Sequence, residues 1–374
     1  MIKIDVPGAG SYNSKIIFVG EAPGRQEIES GKCFYGPAGE ILFNILSEFD
    51  LSRNNIYITN VFKVRLPGDN IKRIKELMSQ EEIDKYIDFL QYEIDSIKPN
   101  VIVALGNTAL AAITGKIKIG GIGILKYRGS ILQSKVGGYK VIPSIDPASF
   151  IERQESKELF SWKQMVFLRF DINRAVKESE FPELNIPRRN ILICKRSYDL
   201  YSFFEKNKEK EKASNDIETY KSIPICTGIC FDPLEAMVIP LVNLSGPGES
   251  SINIQKHERM EIFHLLAKFF ISKIKKVGQN YDFDQTIQER FGFKINNVYS
   301  DTLLKMSVIY PEIPKSLGVM TSLFTRQPYY KDEGKEYNPK KDSPNRLLNY
   351  CGLDCCVTLE IDNFLEQEFE KVRR

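Results

Sequence analysis

Asn215-Asp216-Ile217-Glu218-Thr219 sets two carboxylates two positions apart in the second half of a 374-residue chain. On a strand, residues i and i+2 point to the same face, so one backbone segment can aim both acids at one point. Read alone, the pair has an open alternative, because the polar lead-in Glu211–Asn215 also suits a solvated turn. Working outward, Gly278-Gln279-Asn280-Tyr281-Asp282-Phe283-Asp284 places Asp284 at a predicted helix start, where acids are favoured in any case. Tyr350-Cys351-Gly352-Leu353-Asp354 puts Tyr350 and Asp354 on one face of a predicted helix. Asp216, Glu218, Asp284 and Asp354 together are hard oxygen donors from three separate segments. Phosphodiester cleavage by two divalent cations, held roughly 3.5–4 Å apart, calls for such a set.

Hydrophobic residues make up 42% of the chain and charged residues 27%, which fits a globular protein, and this length predicts two domains. A net charge of +3 announces no nucleic-acid partner, so any binding groove has to be a local patch. No run approaches the roughly 18 apolar residues of a membrane span. The start, Met1-Ile2-Lys3-Ile4-Asp5, has no signal-peptide core, and a cytoplasmic location without membrane attachment is expected. Seven cysteines contain no C-x-x-C pair, which favours buried or partly buried thiols over disulfides or zinc. The two histidines, His257 and His264, leave residues 1–256 with none, which excludes Ser-His-Asp, Cys-His and histidine-metal chemistry there.

Two blocks differ in their grammar. Predicted domain 1–180 alternates apolar strands (Lys15–Gly20, Asn55–Thr59, Val101–Leu105, Lys140–Pro143) with helical stretches, as in a largely parallel sheet covered by helices. Lys177–Asn190 reads as a linker. Predicted domain 188–374 opens with strands at Ile191–Cys194, Pro224–Phe231 and Ala236–Val242. A helix over Gln255–Ile271 and a strand at Lys275–Gly278 follow, and helices then dominate, which suggests an α+β core.

The second block resembles the DEDD 3′–5′ exonucleases, specifically the proofreading domain of family A DNA polymerases with tyrosine in the third motif. The resemblance rests on Asp216-Ile217-Glu218-Thr219, Gly278-Gln279-Asn280 with Asp284, Ser300-Asp301-Thr302-Leu303, and Tyr350 with Asp354, over roughly residues 188–370. It implies a ribonuclease H-like fold in which Asp216, Glu218, Asp284 and Asp354 hold two Mg²⁺ or Mn²⁺ ions. Glu218 and Tyr350 would position the attacking water. The segment Pro328-Tyr329-Tyr330-Lys331-Asp332-Glu333-Gly334-Lys335 is similar to a loop of phage relatives, and Asn280, Lys331 and Lys335 are candidate DNA contacts.

In the first block, Gly20-Glu21-Ala22-Pro23-Gly24 follows a strand directly, and such a loop frees backbone N–H groups for a ligand. Phe34 in Gly31-Lys32-Cys33-Phe34-Tyr35-Gly36 can stack on a base or plug the core. Asn60 ends a strand and can offer a donor and an acceptor to a pyrimidine edge, or simply form a turn. With Leu105-Gly106-Asn107-Thr108, Tyr127-Arg128-Gly129 and Pro143-Ser144-Ile145-Asp146-Pro147, these segments resemble the family 4 uracil-DNA glycosylases, a three-layer α/β/α fold. The resemblance implies an extruded uracil stacked on Phe34 and read by Asn60, with Glu21 and Ala22 in the pocket and Glu21 placing the water. Two departures stand out. The family's iron–sulfur cluster needs four cysteines, but this block has Cys33 alone and reads Lys63-Val64-Arg65 where one would follow, so no cluster is expected. Asp146 replaces the family's late histidine, and a carboxylate opposes an anion developing on departing uracil.

The expected function is a metal-dependent 3′–5′ exonuclease acting on single-stranded or frayed 3′ ends of DNA. Attached to it is a weakened glycosylase-like DNA-binding domain, in DNA replication or repair. The alternatives are an active bifunctional glycosylase and exonuclease, an exonuclease acting on RNA, and a non-catalytic DNA-binding or polymerase-assembly module. The two resemblances occur in this order at the front of family A polymerases of lytic phages. That adds a polymerase subunit as a candidate partner and the host cytoplasm as the location of a phage-encoded chain.

Overall fold

The computed structural model describes residues 2–155, 160–244, 251–335, 337–338 and 341–373, with the backbone alone at 152–155, 160–163, 333, 335 and 372–373. Two compact units divide the chain, Met1–Ile186 and Pro187–Arg374.

The first unit contains strands β1 (Ala9–Gly10), β2 (Ile16–Gly20), β3 (Tyr57–Asn60), β4 (Val101–Leu105), β5 (Leu132–Gln133) and β6 (Lys140–Ser144). They form one sheet in the order β1-β3-β2-β4-β6-β5. The four inner strands pair in parallel, while β1 and β5 are short antiparallel edges. Ile16-Ile17-Phe18-Val19 and Val101-Ile102-Val103-Ala104-Leu105 are apolar throughout, and every residue of β2 and β4 is buried, so both faces of the sheet are covered. On one face Ile17, Val19, Ile102 and Ala104 join Leu90 and Ile94 of helix Gln80–Ile97 and Leu110 of helix Gly106–Thr114. Helix Phe160–Glu178 packs on β4 and β6. The parallel strands bring the loops after β2, β3, β4 and β6 to one edge of the sheet, where ligands of such sheets gather.

The second unit contains β7 (Asn190–Ile193), β8 (Lys212–Tyr220), β9 (Ile223–Asp232), β10 (Glu235–Pro240), β11 (Lys275–Gly278) and β12 (Val298–Asp301), in the order β12-β11-β8-β9-β10-β7. β8, β9 and β10 form an antiparallel meander. β11 runs parallel to β8 and β12, and β7 runs parallel to β10. This sheet is therefore mixed rather than a set of antiparallel strands followed by helices. Parallel neighbours need crossovers, supplied here by helices Lys256–Ile271 and Tyr281–Arg290. The final helix, Pro344–Arg373, lies across β8, β9 and β10. Its Asp362 is fully buried and accepts hydrogen bonds from Lys212 Nζ at 2.7 Å, Lys305 Nζ at 2.8 Å and Ser300 Oγ at 2.5 Å. That carboxylate fastens the helix to the start of β8. Among the described residues no helix is long and apolar enough to cross a membrane.

Candidate functional site

Asp216 and Glu218 lie within β8, opposite Gly228 and Cys226 of β9, and therefore share a face. The strand forms despite its polar lead-in because that lead-in is satisfied internally. Ser214 Oγ donates to the Cys355 carbonyl at 2.7 Å. Asn215 Nδ2 donates to Thr227 Oγ1 at 2.8 Å and to the Gly228 carbonyl at 2.7 Å, while its Oδ1 accepts from Tyr281 Oη at 3.1 Å and Gln288 Nε2 at 2.6 Å. Helix Pro344–Arg373 carries Asp354 to the same place. One carboxylate oxygen from each of Asp216, Glu218 and Asp354 lies within 4.8 Å of the others.

Asp284 stands beside this trio but outside it. Its Oδ1 accepts a hydrogen bond from the Ile217 backbone N–H at 2.8 Å, between the two strand acids. The β11 ladder ends at Ser214, which leaves that N–H without a strand partner on this side. Helix Tyr281–Arg290 starts where Asp301, at the end of β12, accepts from the N–H groups of Asn280 at 3.0 Å and Tyr281 at 2.9 Å. Asn280 itself is exposed and has a left-handed backbone, φ 55°.

Tyr350 is buried one helical turn before Asp354, with its ring 5.8 Å from that of Tyr330. Tyr330 Oη donates to Asp354 Oδ1 at 2.5 Å, and Lys331 Nζ donates to Asp354 Oδ2 at 2.6 Å. The structure thus brings Lys331 to the acids. Lys335 closes the short helix Asp332–Lys335, and its side chain lies outside the described residues. All seven cysteines are free and buried, and Cys351 and Cys355 of the final helix lie against the strand opposite Asp216. Gly228 lets the final helix approach: a Cβ there would fall 2.5 Å from Cys355 Sγ and 3.1 Å from Cys351 Sγ.

The electrostatics follow from crowding. Burial, then the adjacent Cys351 sulfur and the neighbouring acids, pushes the carboxyls of Asp216 and Glu218 well above the usual range. Burial raises Asp284 to about 8, partly opposed by the Ile217 hydrogen bond. Burial and the adjacent Asp354 raise the Tyr330 and Tyr350 hydroxyls. Among the described residues, Asp216 Oδ2 is buried with no hydrogen-bond partner. A buried carboxylate oxygen with no donor, beside two further acids, fits a hard divalent cation.

In the first unit Glu21, Ala22, Phe34, Asn60 and Asp146 line one cavity of about 410 Å³, with Glu27, Leu66 and Asp69. Glu21 accepts from Thr108 Oγ1, and Asp146 Oδ1 accepts from the Ala148 N–H at 2.9 Å. Phe34 has φ 52°, and Arg53 holds its loop by donating to the carbonyls of Cys33 at 2.9 Å and Phe34 at 2.5 Å. Gly20 is what lets Phe34 and Asn60 meet, since a Cβ there would fall 2.4 Å from Asn60 Oδ1 and 2.6 Å from Phe34 Cζ. Lys63, fully buried, donates to the Asn60 carbonyl at 2.7 Å and pairs with Glu93. Residues 1–186 contain one cysteine, Cys33, which accepts from Asn60 Nδ2 at 3.4 Å. A four-thiolate iron–sulfur cluster does not fit that donor set, and Val64 is packed into the apolar core with Leu66, Ile74 and Met78.

Sequence reasoning missed Tyr330, Asn215, Glu27, Arg53 and Lys63. Tyr330 was within reach, since it lies in the quoted 328–335 segment beside Lys331. Asn215, Arg53 and Lys63 act through contacts distant in sequence, whereas Glu27 accepts from the Gly24 N–H at the start of its own helix.

Residues 7–166 match the uracil DNA glycosylase superfamily, and residues 203–370 match the 3′–5′ exonuclease family of DNA polymerase A type. The chain is 36% identical to the type-4 uracil-DNA glycosylase of Archaeoglobus fulgidus over 155 residues, which covers 41% of this chain and 75% of that protein. It is 28% identical to the DNA polymerase of Bacillus phage SP01 over 226 residues, 60% of this chain and 21% of that polymerase. Escherichia coli RNase D, an exoribonuclease, aligns with a TM-score of 0.39 at 14% identity, covering 49% of this chain and 46% of that one.

Proposed function

The chain belongs to the type-4 uracil-DNA glycosylase family through its first unit and carries a 3′–5′ exonuclease domain in its second, and on that footing we propose that the second unit removes nucleotides from DNA 3′ ends by two-metal hydrolysis. The observation that carries this reading is the trio Asp216, Glu218 and Asp354, whose oxygens gather within 4.8 Å while Asp216 Oδ2 has no partner among the described residues. Asp216, Glu218 and Asp354 would hold one ion, with Asp284 contributing from beside Asp216 to a second. Such ions, when bound, supply the positive charge that offsets the attacking and leaving oxygens. The chain's own groups do the rest. Tyr350, held by its packing near Asp354, and Glu218 orient the water. Asp284 fixes the backbone between the two strand acids. Asn280, exposed at the helix start, and Lys331 are placed to meet nucleic acid. The preference for DNA, and the choice of Mg²⁺ or Mn²⁺, belong to this proposal.

The test is a 5′-labelled single strand incubated with the full chain. Shortening from the 3′ end should require added Mg²⁺ or Mn²⁺, and Asp216→Ala should abolish it. Persistence in Asp216→Ala sinks the site assignment. A parallel RNA strand decides the nucleic-acid preference.

For the first unit we infer a pocket for an extruded uracil, supported by Phe34, Asn60 and Glu21 on one cavity. Asp146 lines the same cavity, and a carboxylate facing a departing uracil anion disfavours cleavage. Loss of a preorganised donor alone costs roughly 10²–10³ in rate. The expected outcome is uracil binding with weak excision, measured as abasic product from a uracil-containing strand for wild type and Asn60→Ala. Rapid excision by wild type overturns the weakened reading.

A further inference from the structure

Lys331 reaches into the acid trio itself, deeper than the contact with nucleic acid assigned to it above requires. Both oxygens of Asp354 are engaged by one stretch of chain, Oδ1 by Tyr330 Oη and Oδ2 by Lys331 Nζ, at 2.5 Å and 2.6 Å. Lys331 Nζ also lies 4.5 Å from the centre of the Tyr350 ring, and its side chain is 16% exposed. The same stretch closes over that ring at Gly334, where a Cβ would come within 2.5 Å of it. An ammonium therefore sits between Asp354 and Tyr350, the residues of the third motif, and its partner belongs to the acid trio.

A surface loop lysine would be solvated, with a flexible stem. This one is largely buried, seated by a charge-assisted hydrogen bond and by a ring face. Tyr330 alone could orient Asp354, so orientation does not account for the charge. A fixed positive charge in a partly water-excluded site does act on anionic oxygens that come within a few ångströms.

We propose that Lys331 is a third cation of the exonuclease centre, one that remains on Asp354 and adds positive charge to the reacting phosphate beyond what divalent ions supply. The inference rests on the two-metal reading of the same site. It makes two separable statements. Removing the ammonium slows turnover, because a charge facing the phosphate is lost. It does not weaken metal binding, because the three carboxylates remain and one competing positive charge has gone.

The test uses the full chain as wild type, Lys331→Met and Lys331→Arg. Mn²⁺ affinity is read without nucleic acid, from the electron-spin resonance of free Mn²⁺, and kcat is read at saturating Mn²⁺ on a single-stranded oligonucleotide. Lys331→Met should lower kcat roughly 10²-fold, the loss typical of removing one preorganised group at a developing charge. Its Mn²⁺ affinity should equal or exceed wild type, and Lys331→Arg should recover part of the rate. Unchanged kcat in Lys331→Met overturns the proposal. So does a fall in Mn²⁺ affinity parallel to the fall in rate, which would mark a merely structural role. If Lys331→Met does not fold, Lys331→Gln carries the same expectations. Wild type that binds no Mn²⁺ and cuts nothing sinks the two-metal reading itself, whereas active wild type beside equally active Lys331→Met sinks only the third cation.

Discussion

Asp284 Oδ1 accepts the backbone N–H of Ile217 at 2.8 Å, so an acid read from the sequence as a metal ligand also closes a gap in the β-ladder. The two roles separate by substitution. Asp284→Asn keeps an oxygen acceptor and removes the charge, so stability should change little while exonuclease activity falls. Asp284→Ala removes both and leaves a buried N–H unpaired, at a cost of about 1–3 kcal/mol. Urea unfolding beside a nuclease assay on both variants checks this. Equal destabilisation by the two would remove the structural role.

The buried acids set a pH dependence. Asp284 is raised from 3.8 to about 8, and Asp216 and Glu218 also move upward, so the metal-free folded state binds more protons than the unfolded state between these limits. Stability should therefore fall as pH rises from about 4 towards about 8. Added Mg²⁺ binds the deprotonated acids and should raise Tm more at pH 8 than at pH 5. Calorimetry across that range, with and without Mg²⁺, tests both signs. Asp284→Asn should flatten the metal-free slope.

Gly228→Ala should act on the centre from below. The added methyl would meet Cys355 Sγ at 2.5 Å, which forces the final helix off the sheet. Overpacking of this kind costs about 1–3 kcal/mol. Since Asp354 rides on that helix, Mn²⁺ affinity should weaken together with stability. A stable variant with wild-type Mn²⁺ affinity would contradict this account.

Gly20→Ala should disable the cavity of the first unit. The methyl would occupy space held by Asn60 Oδ1 and Phe34 Cζ. Binding of a uracil-containing strand to the first unit's pocket should fall at least roughly tenfold, the effect of misplacing a group by about an ångström. The exonuclease rate should stay at the wild-type level. Fluorescence anisotropy and the oligonucleotide ladder read the two separately.

The inner strands β2 and β4 were legible because they are apolar from end to end, which local pattern alone reveals. β8 was harder, since Ser214, Asn215 and Asp216 read as turn formers. They form a strand because Cys355, Thr227, Gly228, Tyr281 and Gln288 answer their polar groups from far away in sequence. β12, Val298–Asp301, is short and half-exposed, and it exists because β11 offers it a parallel partner. Type and spacing picked out each acid only within its own segment, and their assembly into one set was implied by the resemblance. Their division into a trio and a neighbour was not, because Asp284 turns toward an N–H that becomes unpaired only where the β11 ladder stops. Lys331 stood in the quoted segment, but its partner could not be read without the fold.

Asp362 gives the centre a fastening of its own. Two turns beyond Asp354 on one continuous helix, it is clamped by Lys212, which opens the strand that carries Asp216 and Glu218. Both supports of the crowded carboxyls are thus locked together at a point where opposite charges attract. The three carboxyls cannot ease their crowding by drifting apart, so Asp216 and Glu218 relieve it by keeping their protons.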